Sequence, residues 1–288
     1  MKIMITGASG MLGQALTEAF NAIPEWHVHP CPRSVVDVTD YTAVQTALAS
    51  YNPHVLIHLA AYTDVEKGEN EPDAVYRTNY LGTWYICQSC TMLDVKLIYL
   101  STDLVFSGTK GLPYIETDLP APLNIYGRSK LAGEKLIRAL VRHHYIIRTG
   151  WMFGGSKNDH KFVGKVIAQA FTGNPLYVVT DRIGSPVYTG DLAEKIRDML
   201  AYGLPWGTYH VVNTGLCSRY EFASQILRYA GITGVPVHPV ITASGAPRPF
   251  ISALRNYALE LMGYNDMRPW QESLEEYVLQ MLRERGKD

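Results

Sequence analysis

Apolar runs of strand length alternate with stretches of helical period through the first half of the chain. Residues 2–7, 26–31, 54–60, 96–102 and 145–150 read as strands, with helix-period segments between them. This rhythm predicts βαβ units and hence a doubly wound parallel sheet covered by helices on both faces. Ligands of such sheets gather outside the carboxyl ends of the strands. The second half is cut into shorter pieces by Pro205, Pro236, Pro239, Pro247 and Pro249. A strand over 176–180 and a helix over 191–202 are expected to extend the sheet. The organisation that follows is a sheet domain over 1–150, extended by 176–202, and a smaller, partly helical lobe drawn mainly from 151–288 and interleaved with it.

Composition narrows the class of partner. The chain has 288 residues, 47% hydrophobic and 18% charged, with a formal net charge of −1, which suits a folded chain with ample core. It carries no Lys/Arg run to attract nucleic acid and no apolar stretch of the roughly 18 to 20 residues a membrane span needs. A small soluble ligand is the partner expected. The N-terminus enters a strand with no charged, apolar and cleavage regions before it, so a cytoplasmic protein is expected. Cys87 and Cys90 have redox or zinc spacing, but no second such pair or His pair completes a site. With Cys31 and Cys217 they read as buried structural thiols, and no metal site is expected. His27, His29 and His58 read as satisfied or exposed side chains rather than ligands.

Three places carry candidate chemistry. TGASGMLG, residues 6–13, leaves the first strand and opens a helix with Gly7, Gly10 and Gly13 three apart. Glycines there let the backbone approach a phosphate, and the helix start offers N–H donors and a partial positive charge. Packing alone can also demand such glycines. The third strand ends in Ala60 and Ala61 before Tyr62, small residues over which a cofactor could lie. The fourth ends in Ser101-Thr102-Asp103, hydroxyls and a carboxylate at the ligand edge. Tyr126 and Lys130 then share one helical face, a turn apart. A phenol with a pKa of about 10 is a poor acid-base group near neutrality unless a nearby cation stabilises its anion. Lys130 is placed to do so, and Thr102 to hydrogen-bond the same substrate oxygen.

In this order, TGASGMLG, HLAAYTDVEKGE, YLSTDLVFSG, PLNIYGRSKLAGE, IIRTGWMFG and DRIGSPVYTGDLA resemble the extended short-chain dehydrogenase/reductases, and more narrowly the dTDP-4-dehydrorhamnose reductase family. The segment RPFISAL, residues 248–254, is similar to that family's RPxxSxL, and WQESLEEYV closes a match over almost the whole chain. The resemblance implies a Rossmann-type sheet and a reductase that delivers hydride from a nicotinamide cofactor to C4 of dTDP-6-deoxy-L-lyxo-4-hexulose, giving dTDP-L-rhamnose. It implies Thr102, Tyr126 and Lys130 as the catalytic triad, with Tyr126 donating the proton. Gly7, Gly10 and Gly13 would hold the pyrophosphate, and Ser9, Met11 and Leu12 would also bind the cofactor. Asp37 and Val38 would face the adenine, and Ala60, Ala61, Tyr62, Thr63 and Asn79 would line the cofactor. Thr63, Val65, Thr102, Asp103, Trp151 and Arg248 would face the substrate. A core aromatic remains open for Trp151, and a structural salt bridge for Arg248.

The second strand ends in Pro32-Arg33-Ser34 with no carboxylate before Asp37, whereas NAD-selective folds place one on the ribose 2′-hydroxyl. Arg33 and Ser34 suit a 2′-phosphate, which predicts NADPH, with NADH as an alternative donor. A solvated loop charge is the plain alternative for Arg33. The chain departs from the family at Gly150, at Val187 and over 157–162, all on the substrate side. Another NDP-4-keto-6-deoxy sugar is therefore an alternative substrate. A non-catalytic NADP-binding regulatory subunit, like the methionine adenosyltransferase beta subunit of the same family, and an epimerase or dehydratase with resident NAD are the competing classes. Some members bind magnesium at a dimer contact, for which no carboxylates are identified here; a monomer or homodimer is expected.

Overall fold

The computed structural model describes residues 1–155 and 161–285. Its central sheet has six strands: β1 (Lys2–Thr6), β2 (His27–Cys31), β3 (Val55–His58), β4 (Lys96–Thr102), β5 (His144–Thr149) and, at one edge, Gly207–His210. The spatial order is β2, β1, β3, β4, β5 and Gly207–His210, every pairing parallel. Strand order reverses between β1 and β3, so a crevice opens at the carboxyl ends of the two.

Burial on both faces explains the unbroken apolar strands. In β1, Ile3 and Ile5 face a core shared with Leu12, Leu16 and Phe20 of α1 (Met11–Asn21) and with Leu192, Ile196 and Met199 of the helix Thr189–Ala201. Met4 points the other way, towards Val44, Leu48, Ile86 and Ile137. Cys87 and Cys90, on the helix Thr83–Leu93, sit in that second layer as free buried thiols, and burial pushes both up in pKa. His58 is also buried; its ring nitrogens meet the hydroxyls of Thr6 (2.9 Å) and Thr83 (3.2 Å), and desolvation holds it near pKa 3. No helix among the described residues is long and apolar enough to cross a membrane.

The expected extension of the sheet by 176–180 is corrected. Leu176–Val179 pairs instead with Val237–Val240 in a separate two-stranded sheet. Leu176 and Val178 are buried while Tyr177 is exposed, a one-faced pattern unlike the two-faced burial of a central parallel strand. The place at the edge goes to Gly207–His210, registered from Gly207 opposite Tyr145 to His210 opposite Arg148. The helix expected over 191–202 does return to the sheet, as Thr189–Ala201 packed on α1. Phe153, Val163, Ile167, Phe222, Trp270 and Tyr277 form a separate core, distinct from the two that flank the sheet.

Candidate active site

The glycines of the β1–α1 turn divide their work. Gly7 has φ +68°, and a Cβ there would come within 2.7 Å of the Ala60 nitrogen. A Cβ on Gly13 would lie 2.6 Å from the Ala8 backbone. Both positions hold chain segments together. Gly10 is different, since a Cβ there would meet only the Gly7 carbonyl at 3.4 Å. It caps α1 without a side-chain hydrogen bond, and the first turn holds no acidic residue. An open helix start of this kind fits an anionic pyrophosphate. Ser9 is exposed and Met11 half-buried beside it, whereas the Leu12 side chain belongs to the core, so only its backbone is available to a ligand.

Beyond β2, the Arg33 Nε–H donates to Asp37 Oδ2 at 3.1 Å, and the Arg33 side chain is 86% exposed. Asp37 also accepts from the Thr39 backbone N–H and hydroxyl, which hold it below the usual carboxylate range. Ser34 is exposed, and Val38 is buried against Gly82.

Asn79 lies on a single wide π-helical turn, Arg77–Gly82, a feature that re-aims a side chain within a helix. Its side chain is buried and spent on the protein. Oδ1 accepts from the Tyr62 N–H (2.8 Å), and Nδ2 donates to the Tyr62 carbonyl (3.1 Å) and to Ser129 Oγ (2.9 Å). Ser129 in turn donates to the Tyr126 carbonyl at 2.7 Å. Asn79 thus ties the Ala60–Ala61–Tyr62 loop to the helix Ile125–Leu140, with Thr63 exposed and Val65 half-buried further along.

That helix begins at Asn124, whose side chain accepts from the Gly127 N–H at 2.7 Å. A Cβ on Gly127 would lie 2.2 Å from the Leu104 carbonyl, and one on Gly133 would lie 2.5 Å from the Tyr99 hydroxyl. The two glycines let the helix sit down on β4, which brings Tyr126 to Thr102. The Thr102 hydroxyl accepts from the Leu104 N–H (3.2 Å) and donates to Asp103 Oδ1 (3.1 Å), while Ser252 Oγ donates to Asp103 Oδ2 at 2.5 Å. Asp103 is buried, and desolvation raises its pKa against the hydrogen bonds from Ser252 and Thr102 and the charge of Arg219.

The phenol departs from the sequence expectation. Desolvation is the largest effect on Tyr126, the Asp103 charge adds to it, and together they push its pKa above the ordinary value; the Thr102 hydroxyl opposes them. Lys130 is buried with its ammonium 3.9 Å from the centre of the Tyr99 ring, and burial draws it to about 7, with Glu134 opposing. Glu134, one turn further on, is held by the Arg148 guanidinium and the Ser101 hydroxyl.

The facing wall comes from distant segments. The Arg219 guanidinium lies 3.7 Å from the centre of the Trp151 ring, and Gly184 packs so close to that indole that a Cβ would lie 2.4 Å from Cε2. Arg248 forms an ion pair with Glu66, which also accepts from the Ala246 N–H at 2.7 Å. The salt bridge left open for Arg248 is present. Asn124 Nδ2 donates to the Pro247 carbonyl at 2.8 Å, so the same loop is tied to the start of the Tyr126 helix. Of the family departures, Gly150 has the Ser185 carbonyl 2.3 Å from where a Cβ would stand, and Val187 is fully buried in the core. Packing accounts for both. Most of the 157–162 departure, residues 157–160, falls outside the described residues. Sequence reasoning missed Glu66, Ser129, Arg219 and Ser252 as members of the site. Ser252, Glu66 and Ser129 had a signal, since they lie within RPFISAL, HLAAYTDVEKGE and PLNIYGRSKLAGE; Arg219 had none.

Comparison with known proteins places this geometry. Residues 1–283 match the family model described as RmlD substrate binding domain. The spore coat polysaccharide biosynthesis protein SpsK of Bacillus subtilis is 36% identical over 96% of both chains. The dTDP-4-dehydrorhamnose reductase of Mycolicibacterium smegmatis is 35% identical over 96% of this chain and 85% of its own. A crystal structure of dTDP-4-dehydrorhamnose reductase from Bacillus anthracis in complex with NADP superposes with a TM-score of 0.92 at 38% identity, covering 97% of this chain and 99% of that one.

Proposed function

The chain belongs to the RmlD substrate binding domain family, and from that premise we propose that it reduces the C4 keto group of dTDP-4-dehydro-6-deoxy-L-mannose to give dTDP-L-rhamnose, with NADPH as the donor. NADPH supplies the hydride. The observation that carries this reading is the meeting of Thr102 and Tyr126 at the end of β4, on the same edge of the parallel sheet as the helix start left open by Gly10. Gly7, Gly10 and Gly13 shape the turn that would receive the pyrophosphate, and Arg33 and Ser34, both exposed beyond β2, would meet the 2′-phosphate.

Tyr126, held protonated by its raised pKa, gives its proton to the C4 oxygen as negative charge develops there. Lys130, a turn along the same helix, supplies positive charge near the phenolate left behind. Thr102 orients the sugar beside Tyr126, Trp151 flanks it, and Arg248 lies on the side of its diphosphate. Gly150 and Val187 are explained by packing, so neither gives a reason to choose another sugar.

Following NADPH absorbance with the dTDP-4-keto-6-deoxy sugar, and identifying the product by NMR, tests the reading. Stoichiometric consumption with dTDP-L-rhamnose as product is expected. Tight NADP(H) binding without turnover would favour a regulatory subunit, and turnover only with a sugar of another configuration would redirect the substrate.

A further inference from the structure

Arg219 opens the helix Arg219–Tyr229, and its backbone is fixed from two sides. Ser218 before it exchanges hydrogen bonds with Glu221 in a capping box. The Arg219 N–H donates to the Arg182 carbonyl at 3.3 Å, and Cys217–Ser218 pairs antiparallel with Ile183–Gly184. Gly184 leaves room for the Trp151 indole, and the Arg219 guanidinium lies 3.7 Å from the centre of that ring and 4.9 Å from the centre of the Phe162 ring. Two aromatic rings thus hold the cation, without an acceptor for any of its five N–H groups. Among the described residues no oxygen accepts a hydrogen bond from this guanidinium and no carboxylate forms an ion pair with it. Other arginines are closed off: Arg148 by Glu134, Arg268 by Asp191 and Glu276, Arg248 by Glu66. The Asp103 carboxylate attracts Arg219, but its oxygens are already engaged by the hydroxyls of Thr102 and Ser252. Desolvation is the largest effect on Arg219 and lowers its pKa to about 10, so it stays charged near neutrality, while the Arg248 charge repels it. Two like charges within reach of each other, one of them half-buried and unpaired, cost free energy that a bound anion would offset.

We propose that Arg219 binds the diphosphate of the substrate together with Arg248, and so selects a nucleoside-diphosphate sugar over a sugar without phosphate. This deepens the reductase reading given above and rests on it. A guanidinium presents a planar fork of donors that matches two phosphate oxygens. Arg248 is already held by Glu66 and brings little net charge with it, whereas Arg219 brings a whole charge. The charge of Arg219 reaches Asp103, the neighbour of Thr102 in sequence, which places the cation at the same cleft as Tyr126. Its contacts with Trp151 and Phe162 hold a long side chain in place before the substrate arrives, which lowers the entropy cost of binding.

The test titrates the full-length chain, loaded with oxidised NADP, with thymidine and with dTDP in wild type, Arg219→Met and Arg219→Lys, and measures kcat and KM for the 4-keto sugar nucleotide. Methionine keeps an unbranched side chain against Trp151 and removes the charge. Arg219→Met should weaken dTDP by about tenfold or more while thymidine stays within about twofold, and KM should rise in parallel with kcat within about threefold. Lysine, a point charge without the fork, should recover part of the loss. Added salt should weaken dTDP more steeply in wild type than in Arg219→Met. Equal weakening of thymidine and dTDP would mean that Arg219 only props Trp151, and unchanged dTDP affinity would mean that it meets no phosphate; either result overturns the proposal. Wild type that binds dTDP but fails to consume NADPH with the sugar would defeat the reductase reading alone, leaving the titrations to decide the role of Arg219. If Arg219→Met does not fold, Arg219→Lys carries the decision: dTDP weakened by about threefold or more with thymidine unchanged supports the proposal, and equal affinities for dTDP in the variant and wild type count against it.

Discussion

The two sides of the cleft are made in opposite ways. The proposed cofactor side centres on one contiguous turn, residues 6–13, whose working groups are backbone N–H donors and whose three glycines carry no side chain. The proposed substrate side draws on Asp103, Tyr126, Trp151, Arg219, Arg248 and Ser252, which come from distant segments of the chain. The first relies on a helix dipole and close packing, and the second on side-chain charges and hydroxyls, several of them buried. A turn built from backbone is therefore sensitive to added volume, while a wall built from side chains is sensitive to removal of single polar atoms.

Tyr126→Phe should have the largest effect. Loss of the proton donor is expected to lower kcat by about a thousandfold with NADPH affinity nearly unchanged, measured by steady-state kinetics and equilibrium titration. Retention of more than about a tenth of wild-type turnover would remove Tyr126 from the role assigned to it.

On the other side of the cleft, Gly13→Ala and Gly10→Ala separate packing from binding. A Cβ at Gly13 would overlap the Ala8 backbone, so this variant should lose about 1 to 3 kcal/mol or more of stability in urea titration. Gly10→Ala should keep its stability within about 1 kcal/mol and weaken NADPH by about tenfold or more, because the new methyl occupies the pyrophosphate's approach. Equal losses of stability in both variants would dissolve the distinction drawn between the two glycines.

Smaller effects sharpen the contrast further. Arg248→Ala should raise the KM for the sugar nucleotide by about tenfold while leaving the KM for NADPH alone, and a matching rise for NADPH would place Arg248 on the wrong side of the cleft. Arg33→Ala should weaken NADPH by about three- to tenfold and NADH hardly at all. Its effect is limited because the side chain is largely in solvent and already paired with Asp37. The smallest change in turnover is expected for Cys87→Ala combined with Cys90→Ala. Activity should stay within about twofold, with about 1 kcal/mol of stability lost per thiol from the second core layer. Abolished activity would show that these buried thiols do more than pack.

The sequence by itself determined the parallel sheet and its cofactor turn, because both are local. Two-faced burial makes β1 and β3 continuous apolar runs, and a strand, glycine turn and helix start fall within a dozen consecutive residues. It also determined which face of the helix carries Tyr126 and Lys130, since four residues make one turn. Only the tertiary structure decided what surrounds them. The Tyr126–Lys130 spacing suggested a lysine that lowers the phenol's pKa, but the fold buries the phenol and sets Asp103 near it, so the pKa rises, while the Lys130 ammonium lies over Tyr99. Spacing could not reveal that Asp103 would meet Ser252, or Arg219 meet Trp151, because those partners lie far apart in the chain. Nor could it distinguish Leu176–Val179 from Gly207–His210 as the sheet's last strand. Both are short, and that choice depends on which neighbour each finds once the two cores have formed.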